Sequence, residues 1–369
     1  SSYFVSRFIL RCVVLSIFDF LVAVSEHTAV AATMFFLMLS GSACLGAVYI
    51  LARYHLFKPI SHISTGKQRR ALHPIEKPVG PGAEGVVSAH DICVRRALYK
   101  LKSGKELFCQ VLLPVGQEPS RILTFFHGYT SHGDLYIEFC SKFVREGAAV
   151  IVPDLPGHGR SDGLLMYIPD WWVFADEVFE LCASMVKSIR TSTGKPLPVF
   201  GAGVSLGGGL TACLSVRYPD FYRGIILVAP MLSVSDDIKP PKLVVTLLKD
   251  VLVPLLPTWP ITPSGSLEGR DFRKREYGEA YTVCNPFSLK GCKTRLATAV
   301  QIGLVFPDWM GGHLDRVSTP FLVAHGTDDT ITDPNASQLL FEKACSADKK
   351  LELVQGAYHC ELFCCLPGN

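Results

Sequence analysis

Ser205 stands in a run where a serine could act as a nucleophile: Gly203-Val204-Ser205-Leu206-Gly207, with a glycine two residues to either side. Leu197, Val199 and Phe200 before it read as a buried strand. Gly207, Gly208 and Gly209 open a helix through Ala212, Leu214 and Val216. A serine at the apex of a sharp strand-to-helix turn has a strained backbone, and side chains two residues away would collide, so those positions need glycine. The new helix points its first N–H groups at charge that develops beside the hydroxyl. The chemistry this serves is attack on a carbonyl, with a transient oxyanion held at the helix start.

A hydroxyl nucleophile needs a base, and the base needs a group to orient it. In a strand–turn–helix setting these follow in chain order serine, acid, histidine. Asp328 and Asp329 come after an apolar strand, Phe321 to Ala324, and His359 comes after another, Leu351 to Val354. A neutral His359 would take the serine proton while the acid fixes its tautomer. Spacing leaves the choice between Asp328 and Asp329 open. One oxyanion donor is expected from the backbone N–H of Leu206, and the other from the loop His127-Gly128-Tyr129 that ends the strand Ile122 to Phe126. Asp154 precedes the serine in the chain and is expected to be structural.

These residues need a sheet to hold them. Ala97 to Leu101 and Glu106 to Leu113 flank Ser103-Gly104 as a β-hairpin. Leu135 to Arg145 reads as a helix and Ala148 to Val152 as a buried strand. Trp171, Phe174, Val178, Leu181, Cys182, Met185 and Ile189 recur at spacings of three and four, marking one face of an amphipathic helix. Ile225 to Ala229 and Leu351 to Val354 read as strands, and Pro334 to Ala344 as a helix. Continuous apolar strands alternating with helices predict an α/β domain over 86–369, a mostly parallel sheet covered on both faces. The alternation breaks over 231–316, an irregular, proline-rich stretch containing an apolar run from Leu243 to Leu256. An insertion of that size is expected to form a cap over the site.

The 369 residues carry a net charge of +3, which gives no electrostatic case for a nucleic-acid partner. No phosphate-binding glycine loop or zinc-protease motif occurs, and Cys360, Cys364 and Cys365 lack histidines at metal spacing. No metal or cofactor is therefore expected. The 13 cysteines show no paired spacing and read as free thiols in a reducing compartment. Residues 1–57 are apolar, and Thr28 to Leu51 contains no charged residue. At about 1.5 Å per residue that stretch could cross a bilayer. Arg53, Lys58, Lys67, Arg69 and Arg70 follow it, whereas only Arg7 and Arg11 precede it. The bias predicts a single-pass anchor with the following domain cytoplasmic. Residues 58–85, with Pro59, Pro74, Pro78, Gly80, Pro81 and Gly82, read as a linker.

Several motifs together resemble one family. They are His127-Gly128-Tyr129, the run from Pro153 through Asp154-Leu155-Pro156-Gly157-His158-Gly159 to Gly163, the Ser205 elbow, and Val228-Ala229-Pro230-Met231. Lys239-Pro240-Pro241, Pro257-Thr258-Trp259, Asn285-Pro286, and His325-Gly326-x-x-Asp329 followed by Thr332-Asp333-Pro334 belong with them. Over Ala97 to His359 the chain resembles the α/β-hydrolase superfamily, within it the monoacylglycerol lipase and lysophospholipase group, and especially its plant-type members, which include caffeoylshikimate esterases. The resemblance implies Asp329 as the acid, the Tyr129 backbone N–H as the second oxyanion donor, an apolar acyl channel under a cap, and no cofactor. It implies hydrolysis of a lipid ester, monoacylglycerol or lysophospholipid, with a shikimate-type or other small ester as the alternative. Leu206 stands where many plant-type relatives have methionine, with the same backbone N–H. After the histidine such relatives continue into a long helix, where this chain has Cys360 to Asn369. That difference gives a further alternative, a non-catalytic membrane scaffold built on a decayed hydrolase domain.

Overall fold

The computed structural model describes residues 65–75, 86–87, 92–232, 242–262, 272, 274, 276–279, 285–287 and 294–362. The apolar segment 1–57, with its candidate span, lies outside the described residues. Among the described residues no helix is long and apolar enough to cross a membrane.

A short helix, α1 (Gly66–Leu72), opens the described chain, followed by β1 (Val86–Val87), β2 (Ile92–Lys100), β3 (Glu106–Pro114) and β4 (Arg121–Phe126). Next come α2 (Ile137–Arg145), β5 (Ala148–Pro153), α3 (Trp171–Ser188), β6 (Val199–Val204), α4 (Leu206–Arg217) and β7 (Ile225–Val228). The insertion contributes β8 (Pro260–Thr262) and β9 (Thr294–Arg295) with helical runs over 242–255 and 296–311. β10 (Phe321–Gly326), α5 (Pro334–Lys343) and β11 (Lys349–Val354) complete the set.

Among the described residues nine strands form one sheet in the order β1-β2-β3-β5-β4-β6-β7-β10-β11. The β1, β2, β3 and β5 neighbours pair antiparallel; from β5 through β4, β6, β7 and β10 to β11 every pairing is parallel. The parallel strands read as unbroken apolar runs because both faces are covered: all six residues of β5 are buried. One face buries Ile122, Ile151, Leu227 and Val323 against Trp171, Val178 and Leu210 of α3 and α4. The other buries Leu123, Phe125, Val150 and Val152 against Cys140 and Val144 of α2. The β2–β3 hairpin starts earlier than the sequence suggests, at Ile92, because Ile92 and Val94 also bury their side chains in that second layer.

Two expectations need correction. Within the stretch read as linker, residues 66–72 are helical and docked. Thr65 caps α1 through its side chain while Gln68 reaches back to the Thr65 N–H, and Arg69 is fully buried. The 231–316 insertion is not uniformly irregular. In each helical run a π-helical turn (Leu247–Leu252, Gln301–Val305) precedes a fresh α-helical start at Val253–Pro254 or Phe306–Pro307. A proline lacks the N–H an α-helix needs and crowds the preceding turn, so each helix widens before it and restarts. Phe306 then stacks on Trp171 with ring centroids 3.9 Å apart, fastening the insertion to α3.

Candidate active site

Ser205 lies between β6 and α4 with φ 54° and ψ −118°, a backbone that side-chain-bearing residues rarely adopt. A Cβ on Gly203 would lie 2.3 Å from the Gly207 carbonyl oxygen, and one on Gly207 would lie 2.1 Å from that of Phe126. Only glycine fits at either position, which is the steric demand expected of the elbow. The Ser205 N–H is held by the Val228 carbonyl, and the Ser205 carbonyl accepts from Gly209 and Met231, so neighbouring strand and helix bonds fix the turn.

The loop after β4 runs against the serine: a Cβ on Gly128 would sit 3.4 Å from Ser205 Cβ. His127 Nδ1 donates to the Gly128 carbonyl at 2.8 Å, and its Nε2 accepts the Leu155 N–H at 3.0 Å. The Ser131 N–H reaches the same Gly128 carbonyl at 3.3 Å. A trans peptide is planar, so fixing the Gly128 C=O fixes the opposite direction of the Tyr129 N–H. The Tyr129 hydroxyl donates to the Met166 carbonyl at 3.0 Å, and that carbonyl also accepts from Thr298 Oγ1 of the insertion. Leu206, first residue of α4, is buried and begins the helix beside the serine.

Across the sheet, Asp329 lies in the loop after β10 and His359 in the loop after β11. His359 Nδ1 donates to Asp329 Oδ2 at 2.6 Å. Asp329 Oδ1 accepts the N–H groups of Ile331 and Thr332, and Oδ2 is also approached by His325 Nε2 at 3.1 Å and Thr332 Oγ1 at 2.9 Å. Burial alone would raise the Asp329 carboxyl, but the His359 charge and the hydrogen bonds from His325 and His359 outweigh it and hold it well below the usual carboxylate range. Asp328 is exposed, its carboxylate meeting the Thr327 hydroxyl. Of the two adjacent aspartates, Asp329 is thus the one joined to His359. Acid and histidine are joined directly, and Ser205 Oγ makes no hydrogen bond to its own helix start.

The described non-glycine residues with positive φ are Thr130, Met166, Ser205 and Ala229. All four border the site. Besides Ser205, Thr130 accepts from Asn285, Met166 from Tyr129, and Ala229 from Thr332. Backbone strain of this kind persists only where surrounding bonds impose it, and it collects at functional sites. Asp154 is buried behind the loop, bridging the N–H groups of Gly133 and Arg160. Burial, with Asp134 nearby, pushes its carboxyl up to about 7 despite those two bonds. Sequence reasoning had no role for Thr332 or Ser337. His325 and Thr332 occur in quoted motifs, but nothing in the spacing says that their side chains meet the acid.

The sheet order and the elbow after β6 define an α/β hydrolase. The chain belongs to the serine aminopeptidase S33 family, whose model matches residues 117–363. It is 32% identical to a caffeoylshikimate esterase of Arabidopsis thaliana over 72% of this chain and 78% of that protein. It is 28% identical to a monoglyceride lipase of Homo sapiens over 69% of this chain and 80% of the relative. Among solved structures it is similar to a monoacylglycerol lipase of Paleococcus ferrophilus, with a TM-score of 0.55 and 25% identity over 69% of this chain and 90% of that one. The protein is accordingly an enzyme of the α/β-hydrolase class whose relatives are named as ester hydrolases.

Proposed function

We propose that the protein hydrolyses carboxylic esters of lipids, with monoacylglycerol or lysophospholipid as the substrate class, through Ser205, His359 and Asp329. The observation that carries this reading is the 2.6 Å Asp329–His359 hydrogen bond, formed in the loops beyond the same sheet whose β6 ends in the strained Ser205 turn. Ser205 attacks the ester carbonyl as His359 takes its proton. The N–H groups of Tyr129 and Leu206 hold the oxyanion, and Asp329 stabilises the imidazolium. His359 returns the proton to the leaving alcohol; water, activated the same way, then releases the acid. No metal or cofactor has a part in these steps.

Two features favour a lipid. Leu243, Leu247, Val251 and Leu255 recur every four residues along one helical run of the insertion and are all exposed, Leu243 at 80%, while Leu248 and Leu252 face its interior. An apolar stripe on the outer face of the insertion suits a bilayer surface. The apolar 1–57 segment would hold the domain at that surface, on its cytoplasmic side. A second reading, a small phenolic ester such as caffeoylshikimate, is favoured by the 32% identity to the plant esterase.

A fluorophosphonate probe, which labels activated serines, tests the mechanism. Adduct at Ser205 is expected, with labelling and ester hydrolysis falling at least about 1000-fold in Ser205→Ala. A folded protein that is neither labelled nor active removes the proposal and favours the scaffold, and a Ser205→Ala variant with undiminished turnover removes Ser205 as the nucleophile. Comparing kcat/KM for 1-monooleoylglycerol, lyso-phosphatidylcholine and caffeoylshikimate then decides the substrate class.

A further inference from the structure

Asp329 Oδ2 lies within hydrogen-bond reach of two imidazoles. His359 Nδ1 is at 2.6 Å from this oxygen and His325 Nε2 at 3.1 Å. His325 is completely buried, and its Nδ1 meets Ser337 Oγ of α5, also completely buried, at 2.7 Å. Thr332 Oγ1 stands between the rings, 3.2 Å from each. An ionised carboxylate only accepts, so the His325 Nε2 that faces it must carry a proton. If the ring is neutral, Nδ1 is then an acceptor and Ser337 must donate to it. The buried chain therefore runs Ser337 Oγ–H to His325 Nδ1, His325 Nε2–H to Asp329 Oδ2, and His359 Nδ1–H to that same oxygen.

We propose that His325, held in one tautomer by Ser337, is a positioning residue that sets the direction and basicity of the Asp329 carboxylate toward His359. The inference rests on the serine-hydrolase reading above. Two backbone N–H groups fix Asp329 Oδ1, so the set of the carboxylate plane is decided by what holds Oδ2. There His325 Nε2 adds a second imidazole donor alongside His359 Nδ1 and the Thr332 hydroxyl. Its N–H also draws charge from Oδ2, so that the carboxylate stabilises the His359 imidazolium without trapping it. Among the described residues, the titratable groups that act on Asp329 are these two histidines.

The test compares wild type, His325→Leu, His325→Gln and Ser337→Ala on 4-nitrophenyl butyrate, with folding checked by circular dichroism. In His325→Leu, kcat falls about 10- to 100-fold with KM unchanged, and the acid limb of the kcat/KM profile moves to higher pH, because a carboxylate relieved of one donor holds the imidazolium proton more tightly. His325→Gln, whose side-chain amide can replace the Nε2 donor, restores kcat to within about fivefold and returns the acid limb toward wild type. Ser337→Ala lowers kcat about three- to tenfold. The proposal is overturned if His325→Leu and Ser337→Ala keep the wild-type kcat and acid limb. Should His325→Leu fail to fold, an unchanged Ser337→Ala is enough to overturn it. A wild-type protein whose turnover is absent, or is kept in Ser205→Ala, removes the underlying reading as well, and the Ser205→Ala control tells that failure apart.

Discussion

At position 329 a carboxylate is buried and five-fold approached; one residue earlier, at 328, another lies in solvent. That contrast makes their substitution a direct test of which is the acid. Asp329→Asn keeps the shape but puts an amide opposite His359 Nδ1, favouring the wrong tautomer. A fall in kcat/KM on the order of 10^3- to 10^4-fold is expected for such a change. Asp328→Asn should stay within about twofold, and equal losses in the two variants would contradict the assignment. Because Asp329 is held ionised well below the usual carboxylate range, it contributes no titration to the activity profile near neutrality. The serine and the histidine were legible in the sequence because each follows from a local demand: steric exclusion around Ser205, and the place of His359 after the last strand. The choice between neighbouring aspartates was not local. It depends on which carboxylate faces the His359 loop after β10 and β11 pair, and the roles of His325 and Ser337 depend on the same packing.

At the scale of elements, α1 is the part of the chain whose composition misled. Lysines, arginines and prolines around it read as linker, yet the Thr65–Gln68 capping pair starts a helix there. Its Arg69 donates to the carbonyls of Gly159, Ser161 and Gly163, in the loop that follows β5. Burial lowers the guanidinium to about 10, with Asp154 acting in the opposite sense, so it remains charged at neutral pH. Arg69→Ala leaves those carbonyls without their donor in a dry environment, and a destabilisation of about 3 kcal/mol is expected. Exposed Lys67→Ala should change stability by less than about 0.5 kcal/mol. Chemical denaturation of both variants checks this; equal midpoints would mean that α1 is not bound to the domain as described. The main sheet, by contrast, was legible almost strand by strand, since buried parallel strands announce themselves as apolar runs. The helices of the insertion were not, because Pro254 and Pro307 argue locally against helix and only the π-helical turns before them admit it.

Over the whole molecule, the loop that carries the candidate oxyanion donor rests on a group of buried histidines, and this ties stability to pH. Burial lowers His132 and His158 to about 4, and burial together with His158 lowers His127 well below the ordinary histidine value. Each is neutral in the fold and takes a proton near 6.5 once unfolded. The unfolded chain therefore binds more protons between about pH 6.5 and 4, so their contribution is full above that window and lost as pH falls through it. Asp154 acts in the opposite sense. Raised to about 7, its contribution is full below the ordinary carboxyl value and is lost as pH rises through 7. Three histidines against one carboxyl leave a net loss toward acid, on the order of 2 kcal/mol per pH unit at the steepest point. The melting temperature should thus drop between pH 6.5 and 4.5. Activity should be lost with it, because the Gly128–Tyr129 peptide is held through His127 only while the fold keeps that ring neutral, and unfolding releases both. His132 provides the discriminating variant. Its ring packs edge-on against Phe287 at 4.8 Å, and neither ring nitrogen has a hydrogen-bond partner among the described residues. His132→Leu removes a proton-binding group without such a partner and, while neutral, without an ion pair to Asp134 3.9 Å away, so it should leave the melting temperature near neutrality almost unchanged and flatten its fall toward acid. Curves for His132→Leu and wild type that stay parallel from pH 7.5 to 4.5 would show that acid lability arises elsewhere in the molecule.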